Sequence, residues 1–267
     1  MVIKDILDLF GKADGFFVIE NILQMDRTYA LLNQGLDIEE EKEIAIRNIY
    51  NSYKQNFPIN YILEKKNFYG RDFIVKEGVL IPRFETEILI EKLLSMKIEF
   101  SQILDIGCGS GIISLTLALE ISNSKVIGVD ISDKALEVSL LNKNLLGVKN
   151  CNFYKSDLYS NLMGKKFDLI VSNPPYITKD DMNKLDSKVK KEPKLALYGG
   201  EDGLDFYKAI ILNSHSHLNE KGYIAFEIGY DQGETVPQLL YNSGYEDIKV
   251  IKDYNGFDRC VIARSIK

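Results

Sequence analysis

The spacing of hydrophobic residues divides the chain into three parts. In the first part, apolar side chains recur every three or four residues, as at Ile3, Ile6 and Phe10, and this spacing predicts amphipathic helices. The predicted helices cover residues 2–11, a segment after Asp14, a segment around Tyr29, and residues 38–55. We therefore expect an N-terminal helical domain over residues 1–66.

The second part is short and changes its period to two. Residues 67–82 alternate apolar and polar side chains and contain Gly70 and Gly78, which predicts a β-hairpin that links two domains. An apolar helix is predicted after it, from Ile88 to Met96.

In the third part, short apolar runs alternate with helical segments. The predicted strands cover residues 103–107, 125–130, 151–157, 167–173, 222–229, 247–253 and 259–265. This alternation predicts a doubly wound α/β sheet, mostly parallel, whose final two strands form an antiparallel edge. We expect this Rossmann-like domain over residues 83–267, and a charged loop over 179–191 in a position typical of lids.

The strand predicted over 167–173 ends at two prolines. Pro174 and Pro175 have no backbone N–H, and Pro174 keeps Asn173 out of the helical conformation. The carbonyls and the Asn173 side-chain oxygen are then acceptors without competing donors, and Tyr176 adds a flat ring. Such a rim suits a planar group that carries an NH2, such as a carboxamide or the amino edge of a nucleobase. The alternative is a strand that ends in a rigid turn.

Glycines occupy the turn after the first strand of the predicted sheet. Gly107, Gly109 and Gly111 form a GxGxG pattern, which allows the backbone to pass close to a ligand. The pattern is not the dinucleotide fingerprint, because Ile112 stands where that motif has its third glycine.

Acidic residues follow the next two strands. Asp130 ends the second strand, where its carboxylate can accept both hydroxyls of a ribose or can cap the following helix. Asp157 and Leu158 follow the third strand and are suited to covering an adenine, with Asp157 accepting from its amino group. Parallel strands bring these ends to one edge, so we expect a single ligand site there.

Composition restricts the classes of function. The chain has 267 residues, 45% of them hydrophobic, and a net charge of −6, which speaks against a partner held mainly through its phosphates. Its three cysteines include no CxxC pair, so we expect a reducing, cytoplasmic location and no zinc site. We also expect no membrane span, and we interpret His215 and His217 as packing or surface residues of a helix.

GxGxG, a ribose-binding acid and NPPY together resemble the class I S-adenosylmethionine-dependent methyltransferases that act on planar NH2 groups. Residues 58–267 are similar, more narrowly, to the release-factor glutamine methyltransferases of the HemK/PrmC family. The similar segments include VLIPRFETE at 79–87, EP at 192–193, GG at 199–200, EIG at 227–229 and QG at 232–233. Phe84 departs from the family, which usually has proline there.

The resemblance implies a cofactor, a substrate and a set of site residues. It implies S-adenosylmethionine as cofactor, held by Gly107, Cys108, Gly109, Ser110, Gly111, Asp130, Asp157, Leu158 and Asn173. It implies that Asn173, Pro174, Pro175 and Tyr176 bind the substrate and that Asn173, Pro174 and Tyr176 carry catalysis. The implied substrate is the glutamine of the Gly-Gly-Gln motif in peptide-chain release factors, and the helical domain is assigned to binding that partner. We expect a monomer.

Two other functions compete with this one. Methylation of an exocyclic amine in DNA or ribosomal RNA would use NPPY equally well, but it requires a basic channel, and we expect no direct nucleic-acid target. A cofactor-binding regulatory module without catalysis would have no need of the polar rim at 173–176.

Several further residues have a structural interpretation or no assigned role. Cys108 is interpreted as a small filler near the cofactor, and Asp105 either orients the cofactor's amino group through water or braces the glycine turn. Arg83, Glu85 and Glu87 match the family pattern without an assigned role. The lysines of the charged loop, at 188, 190 and 191, are expected to be solvated.

Overall fold

The computed structural model describes residues 1–267, which form two compact units. The first unit comprises residues 1–64 and 186–191, and the second comprises residues 65–185 and 192–267. No helix in either unit combines the length and the apolar character needed to cross a bilayer.

The first unit is helical, as predicted. Its elements are α1 (Ile3–Phe10), α2 (Lys12–Val18), a π-helical turn (Ile19–Leu23), α3 (Arg27–Leu32), α4 (Glu40–Tyr53) and α5 (Ile59–Ile62). The apolar face predicted from Ile3, Ile6 and Phe10 is buried in one cluster with Ile46 of α4. Gly11 separates α1 from α2 with a φ of 75°, and α2 begins two residues before Asp14, earlier than predicted.

The charged segment 179–191 is more ordered than predicted. Its first part is a helix, α9 (Lys179–Lys184), and its last residues form a 3-10 turn, Val189–Lys191. The prediction of solvated lysines is wrong for Lys188, whose Nζ lies 2.9 Å from Asp14 Oδ2 and 2.9 Å from the Tyr53 hydroxyl, within the first unit. Because its ammonium group is paired and lies 4.1 Å from the centre of the Tyr53 ring, Lys188 anchors residues 186–191 to the helices of the first unit.

The β-hairpin of the second unit is shorter than the predicted 67–82. Its antiparallel strands are β1 (Lys65–Phe68) and β2 (Arg71–Ile74), and Phe68 and Phe73 from them enter the core. Residues 75–82 contain no strand.

A seven-stranded sheet forms the centre of the second unit. Its strands are β3 (Gln102–Ile106), β4 (Lys125–Asp130), β5 (Cys151–Lys155), β6 (Phe167–Ser172), β7 (Leu218–Glu227), β8 (Tyr245–Lys252) and β9 (Asp258–Ser265). The order is β5-β4-β3-β6-β7-β9-β8, parallel from β5 to β7. The predicted antiparallel edge is confirmed, with β9 inserted between β7 and β8 and antiparallel to both.

Both faces of this sheet are buried under helices. The helices are α6 (Glu85–Ser95), α7 (Ile112–Glu120), α8 (Asp133–Leu145), α10 (Asp205–Ser214) and α11 (Thr235–Asn242). Leu169 packs into the core on one face and its neighbour Ile170 into the core on the other. Burial on two faces explains why the strand reads as an uninterrupted apolar run.

The two histidines lie just after α10 and not on it. His215 stacks on Tyr245 and His217 stacks on Tyr159, with ring centres 4.6 and 4.5 Å apart. Their interpretation as packing residues is therefore confirmed, although the predicted helix ends before them.

One buried amide joins the hairpin to the glycine turn. The Asn142 side chain of α8 accepts from the Ile74 backbone N–H at 2.7 Å and donates to the Ile74 and Ser110 carbonyls, both at 2.9 Å. Asn142 is fully buried, so all three bonds replace bonds to water.

Replacing Asn142 by alanine should destabilise the protein by about 3 kcal/mol, because three backbone groups, one of them fully buried, would lose their partner. Urea unfolding of Asn142→Ala measures the loss, with Asn144→Ala on the exposed side of the same helix as the control. Equal stability of the two variants would contradict this role.

Candidate active site

The carboxyl ends of four neighbouring parallel strands meet at one edge of the sheet. These strands are β5, β4, β3 and β6, and they are followed by Asp157, Asp130, the glycine turn and Asn173, as predicted. The last two ends are tied together, because the buried Ser172 hydroxyl donates to the Ile106 carbonyl at 2.6 Å.

A cavity of about 330 Å³ opens at this edge. Most of the predicted site residues line it, namely those at 107–110, 130, 157–158 and 173–175. Gly111 and Tyr176 are not among the lining residues. Gly111 instead lies behind the turn, where a side chain would meet Phe153, and the Tyr176 hydroxyl points to Glu227 at 3.5 Å.

The glycine turn requires glycine for its backbone geometry. Gly107, Gly109 and Gly111 all have positive φ, at 72°, 57° and 83°. Gly107 and Cys108 both donate to the Val129 carbonyl of β4, at 2.8 and 3.0 Å, so the turn is fixed to the neighbouring strand. Cys108 is buried, which raises the pKa of its thiol well above the usual value and supports its interpretation as a filler.

Asp130 binds the glycine turn and does not cap the following helix. Its Oδ2 accepts from the Gly109 N–H and its Oδ1 from the Ser132 N–H, both at 2.9 Å. The cap of α8 is Ser132, whose side chain accepts from the Ala135 N–H. Burial raises the pKa of Asp130, and the two backbone donors oppose that effect. Each carboxylate oxygen retains a lone pair for a further donor.

Asp105 braces the turn from within the core. Its Oδ2 accepts from both the N–H and the hydroxyl of Ser114, at 3.1 and 2.5 Å, while Oδ1 has no protein partner. Complete burial raises its pKa to about 7. Asp105 therefore braces the first turn of α7, which directly follows the glycine turn, and its water-mediated role toward the cofactor's amino group stays a prediction.

The proline pair ends β6 as an acceptor rim. Asn173 donates from Nδ2 to the Thr86 hydroxyl at 3.3 Å, and no protein donor reaches its Oδ1 or the Pro174 carbonyl. Two acceptors without partners therefore lie beside the cavity that both residues line.

Glycines at 199 and 203 allow a second segment to pack against this rim. A Cβ at Gly199 would lie 2.6 Å from the Pro175 carbonyl oxygen, and one at Gly203 would lie 2.4 Å from the Tyr176 carbonyl oxygen. The Ile177 N–H donates to the Leu197 carbonyl and the Gly199 N–H donates to the Ile177 carbonyl, so backbone hydrogen bonds hold this segment beside the rim.

Arg83 and Glu87, which had no assigned role, make structural contacts. Arg83 pairs with the buried Glu192 at 2.5 Å, and Glu192 also accepts from the Ile81 N–H. Glu87 accepts from the Tyr69 N–H of the hairpin at 2.8 Å. Phe84 is exposed, with its ring centre 6.3 Å from that of Tyr254, so the position accepts a residue other than proline without a cost in packing.

Sequence reasoning placed Thr86 and Glu227 in segments similar to the family but assigned them no role in the site. The Thr86 hydroxyl donates to Glu227 Oε2 at 2.6 Å, and both residues are buried. The available signal was an acidic residue that ends the apolar run of β7, in a position where a buried charge needs a partner.

Comparison with known proteins identifies the family. The family model described as "Methyltransferase small domain" matches residues 84–192. A release factor glutamine methyltransferase of Fusobacterium nucleatum is 41% identical over 97% of this chain and 78% of its own length. One from Bacillus cereus is 43% identical over 93% of this chain and 91% of its own. The chain belongs to the release factor glutamine methyltransferase family. The resemblance seen in its motifs is thus confirmed, and the chain is a methyltransferase.

A solved structure supports the fold independently. A methyltransferase from Pyrococcus furiosus superimposes with a TM-score of 0.55 at 18% identity, covering 83% of this chain and 98% of that one. This likeness confirms the Rossmann-like methyltransferase fold that the strand pattern predicts.

Two buried carboxyls make folding stability depend on pH. Burial raises the pKa of Asp105 and of Glu227 to about 7, from the usual values of 3.8 and 4.5. Between these values and pH 7 the folded state holds more protons than the unfolded state. The free energy of unfolding should therefore fall as the pH rises from about 4 through about 7.

Replacement of Glu227 by glutamine should reduce this pH dependence, because one of the two titrating groups is removed. Chemical unfolding of Glu227→Gln and of the exposed-site control Glu99→Gln between pH 5 and 8 measures the slope. A slope that matches the wild type in Glu227→Gln would show that this carboxyl does not titrate in the folded protein.

Proposed function

We propose that the protein transfers a methyl group from S-adenosylmethionine to the side-chain amide nitrogen, N5, of the glutamine in the Gly-Gly-Gln motif of peptide-chain release factors. In this way it would modulate translation termination. Family membership supports the substrate class, and the acceptor pair at Asn173 and Pro174 is the observation that carries the choice of an amide.

The residues of the cavity fit S-adenosylmethionine. Gly107 and Gly109 let the backbone approach a ligand without side-chain interference, and the Asp130 oxygens can each accept a further hydrogen bond from a ribose hydroxyl. Asp157 and Leu158 line the same cavity and are suited to the adenine. When bound, the cofactor supplies the methyl group, and its sulfur keeps the electron pair of the broken bond.

The chain's own contribution to catalysis is positioning. An amide nitrogen is a poor nucleophile because its lone pair is delocalised into the carbonyl. With Asn173 Oδ1 and the Pro174 carbonyl accepting its two hydrogens, the nitrogen gains electron density and is fixed in direction. Such positioning supplies about 7–11 kcal/mol in well-oriented reactions. The nitrogen loses its extra proton after the transfer.

The helical unit is the proposed site of partner binding. Its α3 exposes Leu31 and Leu32, of which Leu32 is 80% exposed, and exposed apolar side chains of this kind suit contact with another protein. We expect the protein to act as a monomer in the cytoplasm, where its proposed substrate is made.

The substrate is tested by methyl transfer from labelled S-adenosylmethionine to a purified release factor. We expect label on the wild-type factor and none on a copy whose Gly-Gly-Gln glutamine is alanine, because only the amide fits the two acceptors. Ribosomal RNA and DNA serve as parallel substrates. Label on nucleic acid, or equal label on the alanine copy, would contradict the proposal.

Two variants should separate binding from transfer. Asn173→Ala should lower the rate of transfer about 100-fold or more while leaving cofactor affinity within a few-fold, because it removes an acceptor for the substrate amide and only one of the many residues assigned to the cofactor. Asp130→Ala should weaken cofactor binding about 10- to 100-fold, through the loss of hydrogen bonds to a carboxylate.

Calorimetry for the cofactor and single-turnover transfer give the two readouts. Asp133→Ala, an exposed carboxylate at the start of α8, is the matched control and should change neither. Equal losses of binding and transfer in Asn173→Ala would contradict its acceptor role, and unchanged cofactor affinity in Asp130→Ala would contradict ribose binding.

A further inference from the structure

Three side chains connect the core of the second unit to the acceptor rim. Glu227 at the end of β7 accepts from the Thr86 hydroxyl of α6 at 2.6 Å, and Thr86 in turn accepts from Asn173 Nδ2 at 3.3 Å. Glu227 is 1% exposed and does not line the cavity, whereas Thr86, although its residue surface is fully buried, lines the cavity together with Asn173. Hydrogen bonding therefore runs without interruption from a buried carboxyl group to the edge of the candidate site.

The Thr86 hydroxyl, in the middle of these three side chains, fixes the direction of the hydrogen bonds between them. A threonine hydroxyl has one proton, and here Glu227 receives it. The Thr86 oxygen can then only accept from Asn173, so the amide of Asn173 must turn its NH2 toward Thr86. Its Oδ1 is left on the other edge of the planar amide, where no protein donor reaches it.

We infer that Thr86 and Glu227 are positioning residues that fix the orientation of the Asn173 amide and so make the site accept a substrate NH2. The inference rests on the proposed function, in which Asn173 Oδ1 is an acceptor. A reversed amide would present its own NH2 to the substrate NH2, and two donors would face each other. Specificity for an amide nitrogen over an amide oxygen is thereby set through the Thr86 hydroxyl by Glu227, which does not line the cavity.

The ionised form of Glu227 enforces this direction, because an ionised carboxylate can only accept hydrogen bonds. A protonated Glu227 can donate to Thr86, which then donates to Asn173, so that the amide reverses. Burial raises the pKa of Glu227 to about 7, and the nearby charge of Glu85 acts in the same direction. Arg259 and the Thr86 and Tyr176 hydroxyls oppose the rise. The Tyr207 hydroxyl faces the same residue but donates to its backbone carbonyl.

This balance has a consequence for activity. The ionised form, which fixes the productive orientation, is lost as the pH falls through about 7. Transfer should therefore decline on the acid side of neutrality.

Thr86→Val tests the series of hydrogen bonds from Glu227 to Asn173 kinetically, because valine keeps the shape of threonine and removes the hydroxyl. We expect kcat to fall about 10- to 100-fold, the cost of losing a buried hydrogen-bonded group, with cofactor affinity within about twofold. Thr86→Ser restores a hydroxyl and should recover most of the loss. In Thr86→Ser the rate of transfer should still fall on the acid side of neutrality. In Thr86→Val this fall should be absent.

Thr116→Val is the matched control. Thr116 of α7 is also fully buried, but its hydroxyl has no hydrogen-bond partner. This variant should transfer at the wild-type rate. Wild-type kcat in Thr86→Val, or failure of Thr86→Ser to recover activity, would overturn the inference.

A second measurement needs no substrate. The side-chain NH2 signal of Asn173 in a proton–nitrogen NMR spectrum, assigned by its absence in Asn173→Asp, should shift with a midpoint near pH 7 in the wild type. It should not titrate in Thr86→Val or Glu227→Gln. A signal that is unchanged between pH 5.5 and 8.5 in the wild type would overturn the inference.

The two measurements separate this inference from the proposed function. If the wild type methylates no release-factor glutamine but the Asn173 signal titrates as expected, the proposed function fails and the positioning role stands. If transfer occurs, the signal is flat and Thr86→Val is fully active, the positioning role fails and the proposed function stands.

Discussion

The candidate site depends on the position of β3 at the centre of the parallel strands. From β3 the chain proceeds outward through β4 and β5 on one side, and then returns to the other side with β6 and β7. At this reversal the carboxyl ends of β3 and β6 are neighbours, with no strand between them. The glycine turn and the acceptor rim, which lie more than sixty residues apart in sequence, are therefore joined by the Ser172 to Ile106 bond. A crevice of this kind is where open α/β sheets bind ligands.

Much of this arrangement could be predicted from the sequence, because it depends on local patterns. Strands buried on both faces read as apolar runs, and parallel strands present their ends at one edge, so Asp130, Asp157 and Asn173 could be placed together before the structure was known. The GxGxG turn was equally readable, because three residues with positive φ need glycine.

The remaining features depend on contacts between distant residues. Thr86 and Glu227 are separated by 141 positions, and neither has a local signature that names its partner. The same is true of Lys188, which composition assigns to solvent and the fold pairs with Asp14. Tyr176 was expected at the wall of the site because it follows the prolines, but packing turns its hydroxyl toward Glu227. Tertiary pairing of polar groups is what pattern reasoning could not supply.

The buried carboxyl groups illustrate how stability and function are related in this protein. Asp105 and Glu227 are both buried with pKa values raised to about 7, so their ionised forms destabilise the folded state near neutral pH. Asp105 braces the glycine turn through Ser114, and Glu227 supports the acceptor rim through Thr86. One carboxyl group lies next to the start of the helix after the glycine turn, and the other is bonded to the residue that supports Asn173. At both places the burial of a carboxyl group lowers stability, and its hydrogen bonds fix the position of a backbone or amide group.

In the proposed mechanism, Asn173 and Pro174 hold a glutamine amide by its two hydrogens. A crystal structure with S-adenosylhomocysteine and a peptide that contains Gly-Gly-Gln shows whether they do. We expect the glutamine nitrogen within about 2.7–3.2 Å of both Asn173 Oδ1 and the Pro174 carbonyl oxygen, with Asn173 Nδ2 still directed at Thr86. A glutamine whose carbonyl oxygen faces Asn173, or whose amide lies away from the proline rim, would contradict it.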